Sequence, residues 1–214
     1  MKKSIVLVAI VAIVASAFTA FKSAKKESIV LNEEVKMNVN LVADNVDLTA
    51  SVLNWKGSKP TGSHNGIVAL KSGSLELKNG KLTGGVFVVD LSTIKCVDLA
   101  GSDGAGKLEG HLKGEDFFDI AKYPTSTFTI TKVKNNGGKL AVTGNLQIKD
   151  VTKSITIPAM ITTENGVTVF TSEVFNINRT DFNVKYGSKS FFDNLKDKFI
   201  DDMMEMSFVV KSKA

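Results

Sequence analysis

The chain has 214 residues, 43% of them hydrophobic and 23% charged, and its 27 Lys and Arg exceed its 22 Asp and Glu for a net charge of +5. That composition is enough to bury the core of one domain. Its lysines are scattered over turns and outward strand positions rather than clustered with aromatics, which excludes a nucleic-acid footprint.

Met1-Lys2-Lys3 followed by SIVLVAIVAIVASA combines a basic start, an apolar run and a small-residue exit, the pattern of a secretory signal. Residues 1–22 are read as a signal peptide cleaved near residues 17–20, with Ala15-Ser16-Ala17 offering the small residues that a peptidase reads. Loss of Lys2 and Lys3 takes the charge from +5 to +3. The alternative is a retained anchor, since Ile5 to Phe21 is at the lower limit for spanning a bilayer. Residues 23–42 are polar and Lys/Glu-rich and read as a tether. The folded domain is expected over 43–214, its first strand near Val46.

Beyond that point short alternating runs are split by Gly, Asn and Asp, which predicts an all-β protein. Eight strands are expected: Val46 to Trp55, His64 to Leu77, Lys81 to Ile94, Thr125 to Val133, Lys139 to Lys149, Ser154 to Thr162, Val167 to Ile177 and Met203 to Lys211. Asn79-Gly80, Asn136-Gly137 and Asn165-Gly166 stand between such runs and suit the positive φ angles of tight hairpins. The sheet is therefore expected to be largely antiparallel. The Gly-rich piece from Cys96 to Gly110 reads as a mobile loop. After it, Asp116 is expected to cap a helical turn that buries Phe117, Phe118 and Ile120, a plug or lid beside the sheet. A second helical stretch is expected from Lys189 to Phe199. Cys96 is the one cysteine, so it has no internal disulfide partner and reads as a small buried apolar residue.

Alternation assigns faces. Leu140, Val142, Leu146 and Ile148 point one way, and Ala141, Thr143, Asn145, Gln147 and Lys149 point to solvent. Phe87, Val89 and Leu91, Phe128 and Ile130, Ile155 and Ile157, Phe175, and Met204, Met206 and Phe208 extend the apolar set. Eight such strands can close into a barrel or fold into a sandwich, and periodicity alone leaves both open.

Trp55-Lys-Gly57, His64-Asn-Gly66, Gly84-Gly85-Val-Phe87 with Asp90, HLKGEDFFDIAKYP at His111 to Pro124, Gly144-Asn-Leu146-Gln-Ile148 and RTDFNVKYG at Arg179 to Gly187 together resemble the YceI-like family across nearly all of the chain after the leader. The resemblance implies an exported, periplasmic, eight-stranded antiparallel lipocalin-like β-barrel with one or two short helices. It also implies that the barrel holds an isoprenoid or other long-chain lipid in an apolar lumen. Two positions depart from the family's glycines, Asp150 and Asn183, and both residue types accept positive φ.

The lumen set is then Phe87, Val89, Leu91, Phe128, Ile130, Val142, Leu146, Ile155, Ile157, Phe175, Met204, Met206 and Phe208. On periodicity alone these simply fill a core; the resemblance implies a hollow. Six polar residues are assigned to a rim or to structural bonds: His64, His111, Asp116, Arg179, Asp181 and Tyr186. Arg179, the chain's one arginine, is expected to pair with Asp116, Asp119 or Asp181, with headgroup binding as the alternative. No catalytic motif, metal or cofactor is expected, because the histidines and Cys96 lack ligand spacing and no nucleophile motif is present. The remaining alternatives are a packed module engaging an envelope protein or membrane surface, and an enzyme acting through His64 or His111. Oligomeric state is not legible.

Overall fold

The structure, a computed structural model, describes residues 45–214. The expected signal peptide, its cleavage site and the tether lie outside the described residues. The strands are β1 (Val46–Lys59), β2 (Gly62–Lys78), β3 (Lys81–Cys96), β4 (Thr125–Asn136), β5 (Lys139–Ile148), β6 (Val151–Glu164), β7 (Val167–Ser172), β8 (Phe175–Asn178) and β9 (Met203–Ser212). Every neighbouring pair is antiparallel, and β1 pairs with β9 as well as β2, so the sheet closes on itself.

The barrel has eight strand positions. The single strand expected over Val167 to Ile177 is broken into β7 and β8, both paired with β9 through Phe170↔Val210 and Phe175↔Met206. At the break the Glu173 N–H donates to the Pro158 carbonyl and the Phe208 N–H turns to Ser172 Oγ, so both of these donors are still satisfied.

Turn chemistry is local and mostly as the residues dictate. Asn79-Gly80 and Asn165-Gly166 both take positive φ. Between β4 and β5, however, the left-handed pair is Gly137 and Gly138, one residue later than Asn136-Gly137. Between β5 and β6 the positive φ falls on Lys149, not Asp150, whereas Asn183 does take it at 60°.

The helices differ from expectation. Ser102 precedes α1 (Asp103–Lys113), which replaces the anticipated mobile loop. Leu108 and Leu112 are one turn apart on its inner side, Asp103 lies in its first turn, and His111 and Lys113 lie in its last. These helix signals outweigh the glycines that dominated the sequence reading. Asp116 caps nothing: residues 115–119 form a tight turn in which the Phe117 and Asp119 N–H groups donate to the Gly114 carbonyl. Phe117 is buried there and Phe118 and Ile120 are half-buried. Lys189 to Phe199 is a run of turns with a short 3-10 segment, Lys196–Lys198, because Asn194 and Lys196 sit at positive φ and stop propagation.

The hairpin end of the barrel is solid. Val46, Leu75, Leu82, Ile130, Leu140, Val142 and Ala159 are all buried there, and above them Phe170 stacks on Phe87 at 6.0 Å and meets Phe208 at 4.8 Å. Each of these side chains other than Ala159 contributes about 1.5–3 kcal/mol on burial, and the aromatic contacts add a little more.

Candidate functional site: an apolar cavity with a polar mouth

Above the aromatic floor the barrel is hollow. A cavity of about 330 Å³ extends from Phe87, Phe170, Phe208 and Val210 to the opposite end, where it reaches exposed Lys59 and Gly62. Leu53, Val68, Leu91, Ile94, Phe128, Leu146, Ile155, Ile157, Phe175, Met204 and Met206 form much of its wall. Of the thirteen residues assigned to the lumen from sequence, Ile130 and Val142 do not border it. They share the inward face but lie below the floor, where side chains meet. Period two tells inward from outward, not the height at which an interior is filled.

Eight cavity residues come from outside the strands, four of them apolar side chains of α1 and the turn after it. Leu108 and Leu112 of α1, with Phe117 and Phe118 of the following turn, roof part of the space. Leu112, Phe118 and Ile120 pack on a second small core of Val68, Leu91 and Ile94, which anchors the roof to β2 and β3.

Trp55 was used in the sequence only as part of a family block, yet it is the most informative wall residue. It lies opposite Gly66 in the β1–β2 register, where a Cβ would meet Trp55 Cζ2 at 2.6 Å and collide with the Lys95 carbonyl. Glycine is thus required for the indole to lie flat on the wall. Among the described residues, Trp55 Nε1 is the buried side-chain polar atom that has no hydrogen-bond partner. The residue borders the cavity, but Nε1 itself is occluded from it. Alternation of Leu53 and Trp55 in β1 was the signal that could have found it.

The mouth residues have distinct roles. Arg179 is 1% exposed and follows β8. Its Nε donates to the Asp201 carbonyl at 3.0 Å, Nη1 to Val184 at 2.8 Å and Nη2 to Ile200 at 2.9 Å, while Asp202 Oδ1 lies 3.5 Å from Nη2. Phe117 covers the guanidinium face at 5.5 Å. The expected partners Asp116, Asp119 and Asp181 are therefore wrong: the charge partner is Asp202, and most of the bonds go to backbone. Burial pulls the Arg179 guanidinium down from its ordinary value, against the opposing pull of Asp202 and Asp201. Burial would raise the Asp202 carboxyl, but hydrogen bonds from Ser188 and Ser190, with Arg179, hold it below the usual range. Arg179 closes one side of the cavity by tying the segment after β8 to the segment before β9.

His111 lines the cavity and stands edge-on to Tyr186 at 4.5 Å and Phe117 at 5.6 Å. Tyr186, Asp116 and Asp181 are exposed, and neither aspartate borders the cavity. His64 also lines the mouth, with Nδ1 2.8 Å from Asp98 Oδ2. The Asn65 N–H and the His64 side chain hold the Asp98 carboxyl down to about 2. Cys96 is buried, as its sequence context suggested, and donates to Asp98 Oδ1 at 3.2 Å. Burial, then that hydrogen bond, pushes the Cys96 thiol up.

A closed antiparallel barrel, solid at one end and hollow at the other, with an apolar wall and a small helix at its mouth, defines a pocket-bearing β-barrel domain. Residues 45–212 match the YceI-like domain, and the chain belongs to that family. It is 45% identical over 51 residues to Protein YceI of Salmonella arizonae and of Salmonella newport, an alignment covering 24% of this chain and 27% of theirs. The chain thus spans about a quarter of the length of the curated relatives it matches. The fold is similar to that of Burkholderia cenocepacia BcnA, with a TM-score of 0.64 at 23% identity over 79% of this chain and 100% of that one. It is also similar to a polyisoprenoid binding domain from Saccharophagus degradans, with a TM-score of 0.60 at 19% identity over 79% of this chain and 97% of that one.

Proposed function

We propose that this barrel takes the hydrocarbon tail of an isoprenoid-like or other long-chain amphiphile into its cavity and sequesters or carries it after export to the periplasm. The observation that carries this reading is the apolar hollow above a packed floor. At about 330 Å³ it falls within the usual range of small-molecule pockets. Eight methylenes buried there contribute roughly 6 kcal/mol before association costs. The fold shared with a polyisoprenoid binding domain supports an isoprenoid tail, and the N-terminal basic-apolar-small pattern supports export. A fully packed interaction module is less well supported, because the interior is not full. Binding rather than bond breaking is the proposed chemistry: His64 is engaged with Asp98, and His111 is packed against aromatics.

Trp55 supplies the test, since it is the chain's one tryptophan and it borders the cavity. Titration with a polyprenol or polyprenyl phosphate is expected to shift Trp55 emission to the blue and saturate. Trp55→Phe is expected to abolish the signal, which assigns it to this ring. No saturable change, with no lipid retained in native mass spectra, refutes the reading.

Loading from a membrane is the matching partner interaction. Phe191 and Phe192 are 49% and 50% exposed beside Lys185, Lys189, Lys196 and Lys198, whose four charges exceed those of Asp193 and Asp197 in the same segment. Lys185 Nζ lies 4.5 Å from the centre of the Phe191 ring. The segment is tied to the mouth by the Ile200 N–H to Gly187 carbonyl bond and by the ring contact of Tyr186 with His111. Exposed aromatics flanked by lysines suit an anionic phospholipid surface. Sedimentation with phosphatidylglycerol vesicles is expected to fall about tenfold in Phe191→Ser/Phe192→Ser; equal sedimentation of the two proteins removes this segment from the docking surface.

A further inference from the structure

We propose that His64, Cys96 and Asp98 bind a thiophilic divalent cation, zinc(II) foremost, beside the cavity mouth. The inference is independent of the lipid reading. His64 Nδ1, Cys96 Sγ and a carboxylate oxygen of Asp98 all lie within 4.8 Å of one another. Donors around a tetrahedral zinc stand roughly 2.0–2.3 Å from the metal, so small side-chain rotations bring the three onto one centre. In sequence these residues show no ligand spacing, because the site is assembled across two strands.

The scaffold is rigid. Gly57 pairs with His64 and Gly66 with Cys96, so β2 holds one donor between two neighbouring strands and β3 ends on another. The Val97 N–H to Asn65 carbonyl bond, 2.9 Å, pins the short link that carries Asp98. The Asn65 N–H donates to Asp98 Oδ1 at 3.0 Å and orients the carboxylate, the second-layer support that metal ligands need. Glu109, which accepts from the Cys96 N–H at 3.0 Å, adds negative charge on the thiol side.

Without metal, the Cys96 hydrogen lies between Sγ and Asp98. Cation binding replaces it: the thiol loses its proton to solvent and the thiolate becomes a ligand, while the hydrogen that Nδ1 directs at Asp98 is lost from that nitrogen and Nε2 carries the hydrogen of the neutral imidazole, which frees the Nδ1 lone pair. Because a thiol proton leaves as the cation enters, binding weakens as pH falls. Three protein donors leave a fourth position for water or a ligand atom, as in sites that exchange ligands.

The test is a titration of the reduced, metal-stripped protein with cobalt(II), reading the near-ultraviolet thiolate-to-cobalt charge-transfer band, followed by displacement with zinc(II). The band is expected to saturate at about one cation per chain. It should vanish in Cys96→Ser and need at least about tenfold more cobalt in Asp98→Asn and His64→Ala. Circular dichroism checks the fold, and Asp98→Asn preserves shape should Cys96→Ser disturb the strand end. Absence of the band, binding without it, or a band unchanged in Asp98→Asn and His64→Ala overturns the proposal.

Discussion

Arg179→Ala is expected to lower the melting temperature by roughly 6–20 °C. Arg179 is 1% exposed and donates to three backbone carbonyls, those of Val184, Ile200 and Asp201, with Asp202 beside it. Truncation leaves those three carbonyls without their donor and the partly buried Asp202 without its cation. Removing one partner of a buried pair costs about 3–5 kcal/mol, and each kcal/mol moves the midpoint of a domain this size by roughly 2–4 °C. Arg179→Lys is expected to recover only part of the loss, since one ammonium cannot reach acceptors spread around a planar fork. Differential scanning calorimetry with a parallel lipid titration separates the two readings of this residue. A headgroup ligand loses affinity and keeps its melting point; a clamp loses the melting point first. A drop below about 2 °C in Arg179→Ala refutes the clamp.

The contrast between Arg179 and its neighbours shows what a sequence of this kind reveals. Strand faces were legible because the signal is local: in β5, Leu140, Val142, Leu146 and Ile148 are buried while Asn145 and Gln147 are exposed. The hairpin residues were legible for the same reason, save where Gly138 extended the turn by one position. Partners distant in sequence were not. Nothing within a few residues of Arg179 identifies Asp202, which reaches it only because β8 and β9 run side by side. The His64–Cys96–Asp98 trio is of this type, and so is the cavity floor, whose height depends on which aromatic rings meet across the barrel. Helix α1 failed for another reason: Gly104, Gly106 and Gly110 lower helix propensity, and packing of Leu108 and Leu112 over the cavity overrides that preference.

A hollow that persists beside a close-packed floor must have walls that cannot collapse inward, and closure supplies this. Val89 is paired to both β2 and β4, and Ile155 to β5, so neither can move to fill the space without breaking those ladders. Bulky replacements at those two positions should therefore enter the cavity rather than distort the barrel. Val89→Trp/Ile155→Trp is expected to weaken binding of a polyprenol by roughly 100-fold or more, since excluding about four methylenes removes roughly 3 kcal/mol. The melting temperature should stay within a few degrees of the parent, because both residues are only half-buried and border open space. The comparison with Ile130→Ala/Val142→Ala sharpens the outcome. Those side chains lie below the floor, so their truncation costs several kcal/mol of stability while leaving the folded protein's affinity near that of the parent. If the double tryptophan variant folds and binds polyprenol as the parent does, the tail is not held in this cavity.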